Sequence, residues 1–195
     1  LREHSRLWLT SSWYQKLPEQ EGLPARMLPD VTALLEFFNT FRTQLRIEEK
    51  FTMEHMAKIL LSTERIESFE TLCCWMTKQV VKLSQAAPVP CGPMYFKYDK
   101  DHFFGLDPVT LCDTCLEGEQ GGLAWEAVLQ AFTSHQTKVF GVNEHIHQTI
   151  TLLGQSGFFA LGLAERVVVL QHLTTEMLGT PHCRDVLNEN LVNVE

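Results

Sequence analysis

Residues 28–45 read LPDVTALLEFFNTFRTQL, with Val31, Leu34, Leu35, Phe38, Phe41 and Leu45 recurring three or four positions apart and Phe37 widening the stripe. That period predicts one helix with a single broad apolar side, and Asp30, following Pro29, is the expected N-cap. Left in water, such a face would be an aggregation patch. It therefore reads as core, and the neighbouring chain has to supply the faces that cover it.

Outward from this helix the same logic repeats. In FTMEHMAKILL, residues 51–61, Thr52 is placed to cap, Phe51 and Met56 occupy the positions of a hydrophobic staple, and Met53, Met56, Ile59 and Leu60 form the stripe. Between Ser62 and Ser84 the positions Ile66, Phe69, Leu72, Cys73, Met76, Val80 and Leu83 predict a third helix that closes a compact trio. Before the trio, residues 1–27 read as an arm whose Trp8, Trp13 and Tyr14 pack onto the body. After it, residues 85–122 hold too much Pro, Gly and Asp for continuous helix and read as an irregular insertion. Helical signals return over 123–195, in LAWEAVLQAFTSH, NEHIHQTITLLGQSG, LAERVVVLQHLTTEMLG with Gly179 as its expected stop, and TPHCRDVLNENLV, where Thr180 caps and Pro181 takes the first helical position.

The chain has 195 residues, 45% apolar and 21% charged, enough to bury a real core as one domain or two small ones. No apolar run approaches the roughly 20 residues of a membrane helix. The first residue is Leu1 and no signal-peptide pattern follows, so the chain reads as a fragment of something longer. A net charge of −8 with sixteen scattered basic residues lacks the footprint of a phosphate-binding surface. The acidic stretch from Asp99 to Glu126 reads as a solvated loop, with a basic partner surface as its alternative. Six cysteines, two of them adjacent among helix-forming residues, read as reduced core thiols and point to an intracellular compartment.

Candidate chemistry is sparse. Cys112 and Cys115 form a CxxC; Cys91 and His102 could complete a Cys3His zinc site with them, but the spacing is odd and no second short-spaced pair exists, so ordinary loop thiols are favoured. His145 and His147 stand two apart, which on a helix points them to different faces. No phosphate loop, GxSxG or HExxH is present. The residues thus point to an all-α, non-enzymatic protein that needs no cofactor, membrane or small-molecule substrate.

The helices taken in order resemble a known family. LPDVTALLEFFNTFRTQLRIEEKFTMEHMAKILL is similar to the start of the DDT domain of accessory subunits of imitation-switch (ISWI) chromatin-remodeling complexes, and FETLCCWMTKQVVKL matches the next amphipathic helix of that domain. LAWEAVLQAF looks like the Trp-containing helix before the family's WHIM motif, and GFFALGLAERVVVLQHLTTEMLGTPHCRDVLNENL looks like the first WHIM element, with Arg184 and Asp185 as its Arg-acidic pair. The resemblance covers roughly residues 28–83 and 123–192; the insertion has no counterpart and the second WHIM element is absent from the sequence.

The resemblance implies a compact body of about seven helices. A DDT-like three-helix unit over 28–84 would pack with a WHIM-like unit over 123–195, interrupted by the 85–122 insertion. It further implies a nuclear scaffold without catalytic activity that docks an ISWI-type ATPase subunit or other chromatin protein and, as in some members of the family, touches linker DNA. The charge argues for protein docking over DNA reading, since affinity for duplex grows with each phosphate neutralised. A helical adaptor of another family, with no chromatin role, is the alternative. Candidate partner-binding residues are Glu126, Arg166, Arg184, Asp185 and Glu189, charged positions expected opposite the apolar stripes.

Overall fold

A computed structural model describes residues 22–86, 124–141 and 143–192. The arm through Glu21 and most of the insertion, with Cys91, His102, Cys112 and Cys115, lie outside the described residues. The described chain is entirely helical: α1 Leu28–Thr40, α2 Met53–Leu61, α3 Glu67–Ala86, α4 Ala124–Phe140, α5 Glu144–Ser156, α6 Leu163–Leu178 and α7 Pro181–Val192, with 3-10 turns at Ala25–Met27 and Phe158–Ala160. Seven helices and no strand among the described residues bear out the all-α expectation.

The opening stripe behaves as its period demands. Val31, Leu34, Phe37, Phe38, Phe41 and Leu45 are all buried, and Leu35 packs half-buried against them. Two details differ from expectation. The helix starts at Leu28 with Met27 as N-cap, so Pro29 and Asp30 lie inside its first turn, where a rigid φ and a carboxylate both suit the helix. It also ends at Thr40: Phe41 leaves the helical region, and residues 41–47 close as a turn in which Arg46 N–H donates to Thr43 and Ile47 N–H to Arg42. This is a Schellman pattern with Arg46, at φ 58°, in the left-handed position that glycine ordinarily fills.

Thr52 caps α2 as expected, accepting from His55 N–H. His55 takes the place of the usual glutamate and accepts from Thr52 N–H in return. Asn39 holds the connection to α1 through two hydrogen bonds with the Phe51 main chain, and Phe51 stacks on Phe38 at 5.0 Å between ring centroids. At the other end of the chain, Pro181 begins α7, but the Thr180 hydroxyl donates back to Met177 instead of capping forward. Gly179 ends α6 with a negative φ of −73°, so its freedom to adopt the left-handed region is unused.

The centre of the body is α6. Val167, Val169, Leu170, Leu173 and Met177 are buried together with Arg166, His172 and Thr174, so nearly every side of this helix is covered. Its valine run is a weak helix former, and burial overrides that local preference. Helices α1, α2, α3, α5 and α7 all pack on α6, and α4 packs between α3 and α5. The two helical units anticipated from sequence therefore share one core. Gly154 in α5 faces Gln130 of α4, where a Cβ would lie 3.0 Å from the glutamine Cβ, so its bare backbone permits the close approach of these two helices.

Phe38 is fully buried in this core and stacks on Phe51. Phe38→Ala should lower unfolding free energy by about 3–5 kcal/mol, checked by chemical denaturation, because it leaves a void under α1 and removes the ring stacked on Phe51.

Candidate docking surface

Two buried charges and one open groove distinguish the body from a plain helical core. The first charge is Arg166, in the opening turn of α6, which is 4% exposed. Its Nε donates to Leu161 O at 3.0 Å, Nη1 to Leu60 O at 2.9 Å and to Ser62 O, and Nη2 to Phe159 O. Leu60 and Ser62 form the C-terminal end of α2, where carbonyls have no intrahelical partner and the helix dipole favours a cation. Leu161 and Phe159 belong to the 3-10 turn that leads into α6, and the guanidinium also lies 5.7 Å from the centroids of both the Phe158 and Phe159 rings. No carboxylate pairs with Arg166 among the described residues.

Glu126 is the second. It sits in the first turn of α4, 2% exposed, beside Trp125, and its Oε2 has no hydrogen-bond partner. Burial, reinforced by the neighbouring Glu70 carboxylate, raises its pKa to about 7 against the opposing pull of the Glu126 and Phe158 main-chain N–H groups and of Arg65. Glu70 itself is held by Arg65 in a two-pronged pair, Nε to Oε1 at 2.8 Å and Nη2 to Oε2 at 2.9 Å. Cys73 faces the same region from α3, its thiol pushed well up first by burial and then by Glu126, which leaves it a poor nucleophile.

These positions correct two of the expected partner contacts. Glu126 and Arg166 do not lie on solvated faces opposite the stripes; both point into the body, Arg166 because main-chain carbonyls converge on it and Glu126 because α3 and the 157–160 turn cover it. Arg184 and Asp185 are exposed on α7, as expected, while the Glu189 side chain lies outside the described part. His145 is exposed beside the Asn143 cap of α5, and His147 is half-buried. Among the described residues no cluster of His, Cys, Asp or Glu is placed to hold a metal. His172 is buried and its Nε2 lies 2.9 Å from Thr133 Oγ1; burial lowers its pKa to about 4, which keeps it neutral. Cys73, Cys74 and Cys183 are buried thiols outside any disulfide. No helix among the described residues is long and apolar enough to cross a membrane.

The groove was not anticipated. It encloses about 630 Å³ between the α1–α2 connection, α2 and the first half of α3. Half-buried Ile47, Phe51, Ile66, Leu72 and Trp75 form its walls, and Arg46, Glu49, His55 and Lys58 stand at its lip. Ile47, Phe51 and Ile66 come from the connections flanking α2, and Leu72 and Trp75 from α3; all are half-covered by the core and half-open, which is the geometry that accepts an apolar side chain from another molecule. Compared with known proteins, the chain matches no family model, no curated protein and no solved structure.

Arg166→Met should cost about 3–5 kcal/mol in unfolding free energy, read by denaturation, because it strands four carbonyl groups, three of them buried. Glu126 has the opposite sign. Its folded pKa lies above the unfolded value, so the folded state binds the extra proton and stability falls as pH rises from about 4.5 to about 7. Glu126→Gln should therefore raise the melting temperature at about pH 8, by an amount equivalent to at most about 3 kcal/mol, and leave it nearly unchanged at about pH 4.5.

Proposed function

We propose that the chain is a non-catalytic protein-docking module of the DDT–WHIM type in a nuclear, chromatin-associated protein, and that it engages an ISWI-type remodeling ATPase. The observation that carries this proposal is the packing of α6 against α1, α2 and α3, which joins the two helical units into one body as the resemblance expects. Separate bodies or a regular superhelix would have favoured a generic adaptor. The groove beside α2 and α3 is the docking surface, since it joins apolar walls to a charged lip on a rigid helical frame. DNA makes a minor contribution, because the net charge is −8 and affinity for duplex requires many phosphate contacts from basic groups.

The test is capture from nuclear extract followed by mass spectrometry, with an ISWI-type ATPase recovered. Ile47→Asp and Leu72→Asp, both at half-buried groove positions, should each reduce that recovery about tenfold while helical content and melting temperature stay close to native. Repeated recovery of cytoplasmic proteins alone would sink the chromatin assignment and favour a helical adaptor of another family.

A further inference from the structure

We propose that the groove beside α2 and α3 is filled by the chain's own N-terminal arm, with the indole of Trp13 as the anchor, so that a partner docking there has to displace it. The groove offers about 630 Å³. Half-buried Phe51 and Trp75 present ring surface in its walls. Ser68 and Thr71 stand exposed on its α3 rim, where a hydroxyl oxygen can accept an indole N–H.

Connectivity favours the arm. At Gly22, where the described chain starts, a Cβ would lie 3.4 Å from Leu61 Cδ1, and Leu23, with no exposed surface, fixes that point to the body. The arm therefore leaves beside the last residue of α2, the helix whose His55, Lys58 and Ile59 line the groove. With 9 residues, α2 is about 14 Å long. Trp13 precedes Gly22 by nine positions, a stretch that can span about 30 Å, so the indole reaches any point along this helix. Leu9, Trp13 and Leu17 stand four apart, the spacing of one helical face. Leu17 is close enough to the point of entry to cover Leu61, which is 42% exposed. The charges of the arm balance, with Arg2, Arg6 and Lys16 against Glu3, Glu19 and Glu21, so the acidic body does not repel it. A segment on so short a tether meets its site at an effective concentration on the order of millimolar, and the modest affinity of one indole then suffices.

The insertion is the other aromatic-rich segment, with Phe103 and Phe104 among its rings, but its points of attachment lie away from the groove. It leaves α3 at Ala86, about 16 Å beyond Trp75, the last groove residue on that helix. It returns at the start of α4, where Glu126 meets the Glu70 and Cys73 side of α3. Ser68, Thr71, Leu72 and Trp75, which line the groove, occupy the opposite side of α3.

The experiment is NMR on the full 195-residue chain with labelled isoleucine and leucine methyls. Cross-relaxation peaks should join the Trp13 ring to the methyls of Ile47, Ile66 or Leu72. Trp13→Ala should move those methyl signals and leave that of Ile150, buried in α5, in place. A peptide of residues 1–21 added to that variant should move them back, and the same peptide carrying Trp13→Ala should bind about tenfold more weakly. Groove methyls that ignore Trp13→Ala would overturn the proposal. So would peaks joining them to Phe103 or Phe104, which would give the groove to the insertion, or signals that shift with protein concentration, which would give it to a second copy. The peaks are read on the native chain and decide even if the variant fails to fold. No partner enters these readouts, so occupancy stands or falls apart from the chromatin assignment. Displacement does rest on the groove being the docking surface: Trp13→Ala should raise ATPase recovery about tenfold, and unchanged recovery with the peaks present would overturn displacement alone.

Discussion

The fold turns on one arginine that meets no anion among the described residues. Arg166 reaches from the first turn of α6 to the C-terminal end of α2 and to the turn preceding its own helix, donating to four carbonyls. Two of these would otherwise be helix-terminal acceptors buried without a partner, and leaving even one unmet costs about 1–3 kcal/mol. Only a planar group with donors spread over three nitrogens can serve acceptors at such divergent positions. Because Leu60 and Ser62 stand in the first helical unit and Arg166 in the second, the same contacts tie the two units together.

Around that tie the packing follows. The Phe158 and Phe159 rings lie near-perpendicular to each other at 5.3 Å, and both meet Phe69 of α3. Gly157, with φ 81°, makes the turn that presents them, a conformation that costs a side-chain-bearing residue about 1 kcal/mol or more. Smaller polar ties set the periphery: Gln171 donates to Asp30 of α1, and His182 of α7 meets Gln79 and Trp75 of α3. On the other side of the aromatic turn Glu126 is buried with an oxygen unmet. One buried charge is fully satisfied and holds the body together; the other keeps one oxygen without a partner.

Much of the core was legible along the chain. Periodicity picked out Val31, Leu34, Phe38, Met56, Phe69, Cys73 and Met76 as buried, and they are. The α2 cap was visible as Thr52. Charged residues were where periodicity misled. Glu126 and Arg166 were assigned to solvated faces because charge is rarely buried, yet each carried a signal: Glu126 follows Trp125 in an apolar helix start, and Arg166 opens the apolar run Val167–Leu170. The groove was illegible for a different reason. Leu72 belongs to the expected stripe and Ile47 and Trp75 stand beside one, and whether such a position is covered depends on how closely the next helix approaches.

By itself the sequence determined which segments are helical and which side of each turns inward, because a period near 3.6 and residues such as Thr52 and Pro181 act within a few positions of where they stand. Only the tertiary structure decided what Arg166 and Glu126 do. Every residue carries the same carbonyl, so nothing along the chain marks those at Leu60 and Ser62 as the ones that will stand unpaired beside an arginine more than a hundred positions away. That outcome is set by where the helices end and cross in space, as is the absence of any donor within reach of Glu126 Oε2 among the described residues.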